Sequence, residues 1–345
     1  MSVLTGFVTL LVGLALLIVG SDRTVDSAAT LAEVVGFSTF FVGGTLVAVG
    51  TSLPEIATSI YAAVYGVGGL AVGHIAGSAT AQITLGIGLV ALTVSFGVAR
   101  DNVRKYGGGM MVAMLAMLFV VRSGDITRLE GALMAGVYVL FISRRFDAED
   151  YDHHKLDGDR SEAADGGGPD AVDDSEPDAV DDSEPDVVEA ADDAEGATGR
   201  TAVARLLAVV VVGLLAVAVG GHLLVAGSQT VAVELGVSTH LLGLLTGFGT
   251  TVPEVLVALA AVRRSEGDIA GGTLLGSNIT DPLFSLGLGA FAGGIVVDEP
   301  RVAMLTTLYM LVVSGIVVGL LYRQETLYRR HGIACILLYV PVLMI

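Results

Sequence analysis

Gly50-Thr51-Ser52-Leu53-Pro54-Glu55 lies inside an apolar stretch of this chain, and Gly249-Thr250-Thr251-Val252-Pro253-Glu254 repeats it inside another. Each copy sets a carboxylate and a proline in a segment otherwise suited to hydrocarbon. The likeness extends outward. Gly36-Phe37-Ser38-Thr39 matches Gly236-Val237-Ser238-Thr239, and Gly77-Ser78 matches Gly276-Ser277. The spacing from Glu55 to Ser78 equals that from Glu254 to Ser277, so the register holds across a whole helical hairpin. The chain therefore reads as two related halves.

Composition places both halves in a membrane. Hydrophobic residues make up 53% of the chain, mean hydropathy is +0.76, and charged residues are 16%; a soluble domain carries about 25%. Apolar runs predict ten spans, at 3–21, 38–65, 70–98, 107–122, 129–144, 202–226, 239–262, 269–296, 302–322 and 331–345. The first run has no basic leader and no small-residue cleavage site, so it is read as a retained span. Alternate loops share a side of the bilayer. One side collects Arg100, Arg104, Lys105, Arg144, Arg145, Arg263, Arg264, Arg329 and Arg330, among others, and the opposite side only Arg122, Arg128 and Arg301. Lys and Arg favour the cytoplasm, which puts both termini outside. Five spans per half is an odd number, so the halves insert in opposite directions. The expected fold is an all-α membrane protein of the cell membrane: ten transmembrane helices as two inverted five-helix repeats, 1–146 and 201–345.

The segment between them, 147–200, holds most of the acid behind the net charge of −18 and contains the octad PDAVDDSE at Pro169 and again at Pro177. It is too polar to bury a core and reads as a disordered, solvated cytoplasmic loop rather than a Ca²⁺ sensor. Cys335 is alone, so no disulfide framework is expected. Trp is absent, which leaves Tyr and Phe for the interfacial belts. The expected partners are the lipid bilayer and small cations; no nucleic acid, cofactor or catalytic residue set is expected, and the chain is read as working as a monomer.

Outside the acidic loop, Glu55, Glu254 and Asp281 fall deep within spans, whereas Asp22, Glu33, Asp101, Glu130, Glu266 and Asp298 fall near span ends or in loops. An acid at membrane depth costs about 2.5–3.5 kcal/mol on insertion scales and needs compensation. A bound cation supplies it; a packing role alone is the competing reading. Pro54 and Pro253 lack N–H groups, so the Gly50 and Gly249 carbonyls lose their helical donors. Freed oxygens at this depth are tolerated only in a protein interior or facing a wet cavity. Thr51, Ser52, Thr250 and Thr251 add hydroxyls one turn before the glutamates; these can bind an ion or satisfy the broken backbone. On the partner helices, Ser78 and Gln82 share a face, as do Ser277 and Asp281. An all-oxygen set without a Cys or His cluster disfavours soft metals. Ca²⁺ accepts six to eight oxygens in flexible geometry, whereas Mg²⁺ demands a tight octahedron. Two glutamates neutralise one Ca²⁺, and the surrounding hydroxyls and carbonyls can instead hold Na⁺. A site that takes either set but not both supports exchange.

These residues resemble the two α-repeats of the cation/Ca²⁺ exchanger superfamily, close to prokaryotic sodium/calcium exchangers. GTSLPE at Gly50–Glu55 and GSNITD at Gly276–Asp281 carry the resemblance, which covers everything but the acidic loop. It implies that helices 2, 3, 7 and 8 form the ion site, with Glu55 and Glu254 as Ca²⁺ ligands. Thr51, Ser52, Ser78, Thr250, Thr251 and Ser277 would add Na⁺ or Ca²⁺ oxygens, and the Ala48 and Gly247 carbonyls would be main-chain Na⁺ ligands. Asp281 would hold a proton or water. Gln82 stands where members of the family usually carry Asn or Asp. His74 and Thr273 replace an Asn common after the hairpin glycine, and His74 reads as a helix-packing hydrogen-bonder.

The expected activity is antiport of Ca²⁺ against Na⁺ by alternating access, with the first and sixth spans as a sliding gate built around Gly13, Gly20, Gly213 and Gly220. A Ca²⁺/H⁺ antiporter is the nearest alternative and a cation channel the alternative from another class. Deleting residues 150–195 is expected to leave ion flux in reconstituted vesicles unchanged; loss of flux would give the loop a functional role.

Overall fold

The computed structural model describes residues 2–35, 48–144, 197–263, 267–324 and 326–344. The Gly36–Thr39 motif, the first part of the second expected span and the acidic segment up to 196 lie outside these residues. Met1–Tyr138 and Leu207–Ile345 together form one compact unit, which holds every site residue named above. Val139–Leu206 forms another, whose described parts, 139–144 and 197–206, are helical.

In chain order the helices are α1 (Val3–Val35), α2 (Ala48–Thr51), α3 (Leu53–Val64), α4 (Gly68–Ala81), α5 (Ile87–Thr93), α6 (Arg100–Asn102) and α7 (Gly108–Val121). There follow α8 over 128–144, α9 (Ala197–Leu235), α10 (Thr239–Thr250), α11 (Val252–Arg263), α12 (Gly267–Thr280), α13 (Leu286–Gly293), α14 (Pro300–Arg323) and α15 (Arg329–Leu337). Among the described residues six stretches are long and apolar enough to cross a bilayer: Val3–Ala28, Gly68–Thr93, Arg100–Val121, Ala202–Leu235, Thr239–Leu259 and Pro300–Arg323. The other expected spans are mainly helical where they are described, but 38–65 is interrupted at Ser52 and 269–296 leaves the helix after Gly293.

Several boundaries differ from expectation: the third span, read as 70–98, leaves the helix after Thr93, the fourth, read as 107–122, is helical from Arg100, and the eighth, read as 269–296, ends at Gly293. The first span was read to end at residue 21, yet α1 runs to Val35; the sixth was read as 202–226, yet α9 begins at Ala197, inside the expected loop, and ends at Leu235. Polar residues leave hydrocarbon but do not end a helix. Ser21, Thr24 and Ser27 turn to the protein side of α1 while Asp22 and Arg23 stay exposed. At 1.5 Å per residue these helices span about 50 and 58 Å, more than a core of about 30 Å requires.

Glycines bring α1 and α9 into backbone contact. Gly6, Gly13 and Gly20 lie at heptad spacing on α1, and Gly213, Gly220 and Gly227 do so on α9. A Cβ on Gly13 would sit 2.8 Å from the Gly220 carbonyl oxygen, one on Gly220 2.9 Å from that of Gly13, one on Gly20 2.9 Å from that of Gly213, and one on Gly227 2.8 Å from that of Gly6. The helices therefore run antiparallel along a seam that no side chain separates. Leu11, Val12 and Val19 on one helix, and Val211, Val212 and Leu215 on the other, stay exposed on the outer side of the pair.

The centre is built the same way. All residues of α4 are buried. A Cβ on Gly73 would lie 2.2 Å from the His240 carbonyl oxygen, one on Gly77 2.4 Å from that of Leu244, and one on Gly247 2.1 Å from that of His74. Polar groups on α4 and α10 thus face one another at short range.

Short antiparallel pairings tie loops together at two places. Strand β1 (Asp125–Ile126) pairs with β2 (Ile295–Val296) in the register Asp125↔Val296 and Ile126↔Ile295. Phe96 and Leu327 form an isolated bridge, with Leu327 N–H donating to the Phe96 carbonyl at 2.8 Å. Phe96 is the counterpart of Ile295 in the register that aligns Glu55 with Glu254.

Gly13→Val is expected to lower thermal stability in detergent by more than the ~1–3 kcal/mol of ordinary overpacking, because the added atoms meet backbone. Gly319→Ala, on an open face of α14 with nothing within 4 Å, is expected to be neutral or mildly stabilising. Thermal unfolding of the two variants distinguishes the seam from general glycine effects.

Candidate functional site

Both motif helices break just before their prolines. Ser52 interrupts the run between α2 and α3, and Thr251 does so between α10 and α11. Each helix resumes one residue ahead of its proline, where a missing N–H costs nothing. Glu55 and Glu254 then fall in the first turn of the second segment, where helix N–H dipoles favour negative charge. On the partner helices the regular winding also fails at repeat-related points. Five-residue π-turns begin at Gln82 (Gln82–Gly86) and at Asp281 (Asp281–Ser285). π-Turns of this kind re-aim side chains and concentrate at functional sites.

Glu55, Glu254 and Asp281 are all at 0% exposure, and among the described residues they are the buried acids. They lie close enough to repel one another: Glu254 feels the charges of both Glu55 and Asp281, and Glu55 feels that of Asp281. Glu55 Oε1 accepts from Ser78 Oγ at 3.1 Å. Ser78 Oγ lies 3.2 Å from Thr251 Oγ1, so the hydroxyls of the two halves meet directly. Ser52 faces Asp281, and Thr250 faces Glu55.

Gln82 links the halves. Its Nε2 donates to Ser78 Oγ at 3.1 Å and to Asp281 Oδ2 at 3.1 Å, and its Oε1 accepts from Asn278 Nδ2 at 2.7 Å. The sequence reading gave Gln82 an oxygen for a cation. In this arrangement that oxygen accepts from Asn278, and the amide nitrogen faces Ser78 and Asp281. Asn278 was not assigned a role, although it lies within GSNITD and its neighbours were.

Main-chain oxygens of the motif helices also find protein partners. The Gly50 oxygen accepts from Ser21 Oγ of α1 at 2.7 Å. The Gly247 oxygen, expected as an ion ligand, accepts from Thr250 Oγ1 at 3.1 Å and Thr251 Oγ1 at 2.8 Å. The Gly247 oxygen also keeps its helical donor, the Thr251 N–H at 3.3 Å, so the two hydroxyls add to an existing backbone bond. Ala48 opens α2. Thr51 is buried with the other motif hydroxyls. His74 Nδ1 lies 3.0 Å from Thr246 Oγ1 and Nε2 3.4 Å from Thr250 Oγ1, a packing contact between α4 and α10.

Several buried oxygens remain without a partner: Ser52 Oγ, Glu55 Oε2, both Glu254 oxygens, Ser277 Oγ, Asn278 Oδ1 and Asp281 Oδ1. Each unpaired buried polar group costs about 1–3 kcal/mol, and charged ones cost more. No three His, Cys, Asp or Glu side chains among the described residues converge as a metal cluster. The set is instead mixed carboxylate, hydroxyl and amide oxygen, the chemistry of hard cations.

The family model described as sodium/calcium exchanger protein matches the chain twice, over residues 5–146 and 205–345. The sodium/calcium exchanger MaX1 of Methanosarcina acetivorans is 28% identical over 98% of this chain and 97% of its own. A putative antiporter, CaxA, of Alkalimonas amylolytica is 32% identical over 90% of each. The solved sodium/calcium exchanger from Methanococcus jannaschii shares the fold, with a TM-score of 0.57 and 24% identity over 100% of this chain and 99% of that one.

Gln82→Ala removes the donor to Asp281 Oδ2 and the acceptor of Asn278. It is expected to lower stability by about 1–3 kcal/mol, read as a lower unfolding temperature in detergent.

Proposed function

The chain belongs to the sodium/calcium exchanger protein family, and from that premise we propose that it carries Ca²⁺ across the membrane in exchange for Na⁺. A helical membrane protein of this family is a transporter whose cargo is Ca²⁺. The choice of Na⁺ as counter-ion and of the two glutamates as the shared site is the reading offered here. One observation carries it: repeat-related Glu55 and Glu254 are both excluded from water, repel each other, and keep unpartnered oxygens among buried hydroxyls.

The mechanism follows from charge. Empty, the site holds uncompensated carboxylates that resist movement past apolar walls. One Ca²⁺ neutralises Glu55 and Glu254 and takes further oxygens from Ser52 and Ser277, both unpartnered. Na⁺ ions spread over the same carboxylates and hydroxyls achieve the same neutrality. Either load permits the switch and the empty state does not, so transport is exchange rather than leak. The seam of Gly6, Gly13 and Gly20 against Gly213, Gly220 and Gly227 supports α1 and α9 moving as one gate.

The ten-span, inverted topology is part of the proposal. It is supported by the two matches to one family model and by the loop pairings. Ten spans put the β1 and β2 loops on one side of the bilayer and the Phe96 and Leu327 loops on the other. Both pairings then join loops on a common side. With the Lys/Arg bias this gives external termini, a cytoplasmic acidic segment and the β1–β2 ribbon outside. The protein is proposed to act as a monomer in the cell membrane.

In proteoliposomes, an imposed Na⁺ gradient is expected to drive radiolabelled Ca²⁺ uptake, and Glu254→Gln to abolish it. Full transport by that variant, or uptake driven by a pH gradient without Na⁺, would overturn the reading in favour of another site or of proton coupling.

A further inference from the structure

The two glutamates are repeat-related, but their surroundings are not alike. One turn beyond Glu55, α3 carries Thr58 and Ser59, and the π-turn packed against α3 ends at Ser285. All three are at 0% exposure, and none of their hydroxyls has a partner. In the register that aligns Glu55 with Glu254, their counterparts are Val257, Ala258 and Gly86, which offer no side-chain oxygen. The space a Cβ on Gly86 would enter is bounded by Leu274 and Val255 side chains, at 3.0 and 3.4 Å. One turn beyond Glu55 the lining carries hydroxyls, and at the matching places beyond Glu254 it is hydrocarbon.

Helix packing sets α3 against α13 and the π-turn that precedes it. A Cβ on Gly289 would lie 2.9 Å from Ser59 Cβ, and one on Gly293 2.8 Å from the Ala63 carbonyl oxygen. Residue numbers rise together along both helices, so α3 and α13 run parallel in fixed register. Four residues back along each, the same register sets Ser285 opposite Glu55. Glu55 Oε1 is engaged by Ser78, but Oε2 has no partner.

We propose that Glu55 Oε2 and the hydroxyls of Thr58, Ser59 and Ser285 form a monovalent-cation site, suited to Na⁺, that has no counterpart beside Glu254. This rests on the exchanger reading and deepens it. Neutral hydroxyls around one carboxylate oxygen match a single positive charge, whereas a divalent ion needs both glutamates. Thr58 and Ser59 lie between Glu55 and the turn at Gly66, and Ser285 lies between Asp281 and β2. Na⁺ arriving from the β1–β2 end meets these oxygens before it reaches the glutamates. An ion arriving from the Phe96–Leu327 end meets Val257, Ala258 and Gly86 instead.

The test uses the full-length protein in proteoliposomes, with initial Ca²⁺ flux measured against Na⁺ and against Ca²⁺ concentration. Ser285→Ala and Thr58→Val are each expected to raise half-saturating Na⁺ about fivefold, the effect of losing one neutral oxygen contact. Half-saturating Ca²⁺ should move less than about twofold. Ser314→Ala, which removes a buried, unpartnered hydroxyl on α14 outside the proposed oxygen set, should move neither. If Ser285→Ala does not fold, Thr58→Val is read alone. The site is overturned if Na⁺ and Ca²⁺ half-saturation shift together or if neither shifts. Absence of Na⁺-driven flux in the unsubstituted protein overturns the exchanger reading and this site with it. Intact flux with unshifted variants overturns the site alone.

Discussion

Three carboxylates withdrawn from water inside a hydrocarbon-embedded bundle cannot stand uncompensated, and the centre of this protein is organised around that constraint. The protein supplies part of the compensation. Ser78 donates to Glu55, and Gln82 donates to Asp281. The remainder is left open in oxygens that no protein donor reaches, Glu254 having none at all. A soluble protein would fill such a site with water. In the proposed mechanism the unpaired oxygens make a cation's presence a condition for neutrality, which would tie movement of the site to its occupancy.

Precise placement of those oxygens depends on close backbone approach. Gly73 and Gly77 on α4, with Gly243 and Gly247 on α10, let two main chains touch, so that Ser78 and Thr251 meet across the halves. The same means joins α1 to α9 along a heptad seam at the lipid face. Helices in hydrocarbon gain nothing from burying more hydrocarbon, so intimate packing and polar links hold them instead. Gln82 shows how far such linking goes: each polar atom of its side chain is used, toward Ser78, Asp281 and Asn278.

The repeat explains the pairing of parts but not their differences. Helix breaks recur at Ser52 and Thr251, and π-turns recur at Gln82 and Asp281. Yet an amide faces a carboxylate across the pair Gln82 and Asp281, and Thr58, Ser59 and Ser285 stand where the other half has Val257, Ala258 and Gly86. Sequence that diverges within a conserved frame can give the two ends of a transport route different affinities for the same ion.

Much of this was legible in the sequence because the membrane restricts what a chain can do. Apolar runs, the doubled Gly-Thr-Ser/Thr-x-Pro-Glu motif and the isolation of Glu55, Glu254 and Asp281 from other acids needed no coordinates, since an acid or proline in such a run has few physical explanations. The extents of α1 and α9 were not legible, because a helix satisfies its own backbone and need not stop where hydrocarbon does. Nor were the partners of the polar groups: that Ser21 donates to the Gly50 carbonyl, and that Asn278 donates to the Gln82 oxygen. Those are contacts between residues far apart in the chain, and only the packing of helices against one another decides them.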